Sequence, residues 1–80
     1  MHQLLPLCKL KKGQWARIED FLDTVALHMR IRFQEIGLKP GALVQFIRSA
    51  PCGGPLHLKV GQAFLALRQT EAALLQVKLV

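Results

Sequence analysis

Eleven Lys and Arg against five Asp and Glu give this chain of 80 residues a formal charge of +6, and 51% of it is hydrophobic. That length supports one domain, residues 1-80, with a small core that buries only about 60–65% of the unfolded surface. No apolar run approaches the roughly 20 residues of a bilayer span, and Cys8 and Cys52 are the only cysteines, so the chain is expected to be cytoplasmic, with reduced thiols and no anchor, signal peptide or disulfide framework.

Residues Met1 to Lys12 place Leu4, Leu5, Leu7 and Leu10 around Pro6, an apolar segment expected to fold against the body as a helical turn or a lid and to end at Gly13. From Gln14 to Phe21, Ala16 and Ile18 alternate with Arg17 and Glu19, the period of a strand with one buried face, which puts Trp15 outside with Arg17. Asp23 or Thr24 is a candidate cap for the helix that follows. Its apolar positions Val25, Ala26, Met29, Phe33 and Ile36 recur at helical spacing and leave His28, Arg30, Arg32 and Glu35 toward solvent.

Gly37 to Gly41 is where the chain changes character. Gly37 stands where a helix ends in a left-handed residue, and Pro40-Gly41 supplies a fixed φ followed by a residue tolerant of positive φ. Leu43 to Ile47 then has strand propensity, and Pro51-Cys52-Gly53-Gly54-Pro55 is too rich in Pro and Gly to be anything but a loop. Leu56 to Val60 and Ala63 to Leu67 flank Gly61-Gln62 as a hairpin, Arg68 to Ala73 has the composition of one helical turn, and Leu75 to Leu79 alternates as a closing strand. The predicted architecture is mainly β with one α-helix: a small SH3-like barrel of about five strands, with the helix after the first and a short helical turn before the last.

Catalysis finds little support, because no nucleophile stands beside a base and Gly53-Gly54 lies between prolines rather than at a helix start. His2, Cys8, His28, Cys52 and His57 lack the spacings of metal sites; Cys52 and His57, five apart, are the weak candidates for at most a loose Fe or Zn contact, and no cofactor is required. The charge invites nucleic acid, yet a chain with no Tyr and with Phe at core positions offers no stacking platform. Trp15 reads as a rim residue half covered by the N-terminal leucines, or as a partner contact.

Three stretches, Arg32-Phe33-Gln34-Glu35-Ile36-Gly37-Leu38-Lys39-Pro40-Gly41, Ala50-Pro51-Cys52-Gly53-Gly54-Pro55, and Leu65-Ala66-Leu67-Arg68 followed by Glu71-Ala72, arrive in the order in which they occur in the ferrous iron transport protein A family (FeoA), which the chain resembles from about Leu7 to Val77. Arg32, Gly37, Leu38, Gly41, Pro51, Gly53, Pro55, Leu65, Leu67 and Arg68 match that pattern; Cys52 replaces the usual apolar residue, and Gly61 passes directly to Gln62 without the extra basic residue often found there. The resemblance implies a non-enzymatic, regulatory accessory to ferrous iron uptake. It would act through the cytoplasmic portion of a membrane GTPase transporter and be peripheral to the inner membrane through that partner, as a monomer or weak dimer. The expected docking surface joins the helix end, with Arg30, Arg32, Leu38 and Lys39, to the loop residues Pro51, Cys52, Gly53, Gly54 and Pro55, with Trp15 as a further contact. The alternative is a free-standing basic SH3-like module for nucleic acid or another protein.

Overall fold

The structure is a computed structural model that describes residues 4–80; His2 lies outside them. Six strands pair into one antiparallel sheet in the order β1-β6-β2-β3-β4-β5. Its strands are β1 (Leu5–Pro6), β2 (Trp15–Phe21), β3 (Leu43–Ser49), β4 (Leu56–Val60), β5 (Ala63–Leu67) and β6 (Leu75–Leu79). Two helices join them, α1 (Leu27–Glu35) between β2 and β3, and the single turn α2 (Gln69–Ala72) before β6. The strand beyond the expected five is β1, two residues of the N-terminal apolar segment that pair with Val77 and Gln76 before the chain makes a 3-10 turn at Leu7–Lys9. The register shifts between Ile18 and Asp20 in β2 and between Phe46 and Arg48 in β3, where bulges bend the sheet.

The inward positions make the core. Ala16, Ile18, Val44, Leu58, Leu75 and Val77 are fully buried from the strands, Leu7 from the 3-10 turn, and Phe33 closes the core from α1. Trp15, Arg17 and Lys59 lie on the outer face as the alternation predicts.

Helix α1 departs from expectation at its start. The backbone N–H of Val25 donates to the carbonyl of Leu22 at 3.0 Å, so Asp23 and Thr24 are spent in a turn and the helix begins after Ala26, with no side-chain cap. Only Phe33 of its nine residues is buried, while Leu27 and Ile31, one turn apart, are exposed, so the helix is not the cleanly one-sided element its spacing suggested. Its C-terminus follows the sequence closely. Gly37 has φ +94°, its N–H donates to Gln34 at 3.0 Å, and the N–H of Leu38 donates to Phe33 at 2.8 Å, the paired bonds of a Schellman cap.

Candidate functional site

Two chain segments approach each other across the outer end of β3. The first is the turn from Lys11 to Gln14: the N–H of Gly13 donates to the carbonyl of Phe46 at 2.7 Å, the N–H of Phe46 donates to that of Gln14 at 2.9 Å, and the side chain of Gln14 accepts from the N–H of Lys11 at 2.7 Å. These bonds fix the turn to β3 and hold Lys11 and Lys12 on one rim. The second segment is the loop after β3. Cys52 (φ +60°) and Gly53 (φ +74°) are its central residues, and the N–H of Gly54 returns to the carbonyl of Pro51 at 3.2 Å, the pattern of a type I′ turn. A Cβ on Gly54 would stand 2.7 Å from that of Ala50, so a side chain there would force the loop apart. The side-chain amide of Gln69, on α2, donates to the carbonyl of Gly54 at 3.3 Å and ties the loop to the body.

Between these rims lies an open cleft of about 880 Å3. Its floor is apolar, from Leu10, Phe46 and Leu56, each at most 6% exposed. Lys11, Lys12 and Arg48 line it and no acidic residue does. The one ion pair among the described residues, Lys78 to Glu19 at 3.9 Å, lies on the outer face of β2 and β6, so the three cations of the cleft have no carboxylate partner there.

The structure separates residues that the sequence grouped. Gly37 at the helix end approaches Val60, at the far end of β4 from the loop, so helix end and loop stand about 13 Å apart along that strand. Leu38 is fully buried in the same core cluster as Phe33, to whose carbonyl its N–H donates, so its side chain has no surface to offer a partner. Arg30 is committed too. Its guanidinium donates to the carbonyls of Val25 at 3.1 Å and Leu22 at 3.4 Å and lies 5.8 Å from the centroid of the Phe21 ring. Arg32, Lys39 and Pro40 are exposed at the helix end; Pro51, Cys52, Gly53 and Pro55 are exposed in the loop, and Gly54 is half-buried. Trp15, 42% exposed, stands on the outer sheet face.

Cys52 faces the basic cleft, whereas His57 lines a second groove beside Phe64 and Ala66, with Arg48 bordering both, and no three His, Cys, Asp or Glu side chains gather among the described residues. Sequence reasoning passed over Lys11, Lys12, Arg48 and Cys8 as cleft residues; the adjacent Lys11-Lys12 pair was visible, but nothing local says which loop it faces.

The FeoA domain family model matches residues 5–79. An iron uptake regulatory protein (FeoA) is similar at 26% identity, covering 98% of this chain and 100% of that one, with a TM-score of 0.86. The Stenotrophomonas maltophilia FeoA complexed with zinc, described as a prokaryotic SH3 domain protein, is 32% identical over 96% of this chain and 88% of its own, with a TM-score of 0.74. A manganese-dependent transcriptional repressor, 15% identical, superposes on 100% of this chain through 44% of its own length at a TM-score of 0.86, a likeness of fold alone.

Proposed function

The chain belongs to the FeoA domain family, a non-enzymatic accessory family associated with ferrous iron transport, and on that premise we propose that it is a small cytoplasmic accessory protein that docks on the cytoplasmic portion of a GTPase-type ferrous iron transporter. The observation that carries this reading is the cleft between the Lys11 to Gln14 turn and the Pro51 to Pro55 loop. Both walls are fixed by hydrogen bonds before any partner arrives, so little conformational entropy is lost on binding. Iron is cargo of the transporter in this account, and the chain acts by contact rather than by holding the metal.

The test is titration of the transporter's purified cytoplasmic portion with this chain, beside random-sequence RNA, at rising salt. Binding to the transporter portion that outlasts binding to RNA as salt rises supports docking; tighter binding to RNA at every salt concentration makes the chain a nucleic-acid module.

A further inference from the structure

We infer that the occupant of the basic cleft is an extended acidic peptide segment, its carboxylates on the Lys11, Lys12 and Arg48 rim and its backbone along the exposed wall of Pro51 to Gly53. This deepens the docking reading above and rests on it for the existence of a partner.

Charge chooses the sign of the occupant. Three cations line the cleft with no carboxylate among them, while Glu71, on the neighbouring α2, turns its Oε1 to the N–H of Arg68 at 3.1 Å. Neighbouring cations repel one another, and an anionic occupant removes that repulsion as it adds its own attraction. Shape chooses the class. About 880 Å3 of open cleft is far more than an inorganic anion fills, whereas an extended chain repeats its carboxylates about 6.6 Å apart along one side and so meets more than one cation of the rim at once. Nucleic acid fits less well, because the one aromatic residue of the cleft, Phe46, is only 6% exposed and offers no ring face on which a base could stack. The thiol of Cys52 is exposed at the wall of the cleft.

The exposed thiol supplies a reporter at the site itself. The probe is a fluorescently labelled peptide of about eight residues alternating Glu and Leu, which spans roughly 26 Å when extended. Its anisotropy is measured with the wild-type chain, with the Lys12→Glu, Arg48→Glu double variant, and with an Arg17→Glu, Lys59→Glu variant that makes the same charge change on the outer face. Saturable binding that falls roughly tenfold or more in the cleft variant and less than about threefold in the outer-face variant is expected, the double reversal in the cleft removing two close charge pairs. In a Cys8→Ser background, saturating peptide is expected to slow alkylation of Cys52 by iodoacetamide several-fold. Equal losses in the two double variants, an unchanged alkylation rate, or tighter binding of an eight-nucleotide oligouridylate would each overturn the proposal. The peptide experiment is independent of the transporter: a transporter portion that binds while the peptide does not removes the cleft chemistry alone, and the reverse result removes the transporter as partner while leaving the cleft's ligand class in place.

Discussion

The guanidinium of Arg30 sits 5.8 Å from the centre of the Phe21 ring, and that ring stacks on Phe33 with centroids 5.9 Å apart. Helix and sheet therefore meet through a cation, a ring and a second ring, with Arg30 also donating to two backbone carbonyls of the turn between β2 and α1. Replacing Arg30 with Ala should cost about 1–2 kcal/mol from the cation–π contact and the hydrogen bonds together, lowering the melting midpoint by several degrees. Arg32→Ala, at an exposed position on the same helix, should leave the midpoint nearly unchanged.

Gly37 permits a second contrast. With φ +94° and 3.5 Å of ordinary contact between a built Cβ and Val60, the position punishes a side chain through backbone conformation rather than collision. Gly37→Val should destabilise by about 1 kcal/mol or more, and Lys39→Ala, two residues on and exposed, by close to zero. Equal and small shifts in the two melting curves would rule out the left-handed cap.

At Cys52 the same conformation is occupied by a residue with a side chain. Cys52→Gly should be neutral or stabilising, whereas the β-branched Cys52→Val should cost about 1–2 kcal/mol, both read from denaturant midpoints. A Cys52→Gly variant less stable than Cys52→Val would mean that the thiol, and not the backbone, holds the turn.

Removal of metal should leave the fold unchanged. No three ligand side chains gather among the described residues, and Cys52 and His57 line different hollows, so dialysis against a chelator should not alter the far-UV spectrum or the melting midpoint. Loss of the spectrum would place a structural ion where the described side chains offer none.

Most of the sheet was legible because its signals are local. Alternation bounds β4 and β6, the Gly61-Gln62 turn places β5 as the hairpin partner of β4, glycine and proline punctuate the chain, and Gly37 and Gly41 take the positive φ their positions imply. What escaped depends on neighbours distant in sequence. Two residues of β1 count as a strand only because Val77 and Gln76 pair with them, and Asp23 looks like a helix cap until the turn closed by Val25 and Leu22 displaces the helix start. The candidate surface was harder for the same reason. Leu38 and Lys39 are adjacent in sequence, yet one is core and the other exposed, and Lys11 and Arg48 share a cleft only because Gly13 and Phe46 are bonded across the fold.

The most direct test of docking is ferrous iron uptake by cells that lack this chain and receive it back in altered form. The Lys12→Glu, Arg48→Glu variant, with an unchanged melting midpoint and unchanged cellular abundance, should fail to restore uptake, while the Arg17→Glu, Lys59→Glu variant should restore it. Full restoration by the cleft variant at the same abundance would contradict the account, because the chain would then support transport without the surface assigned to its partner.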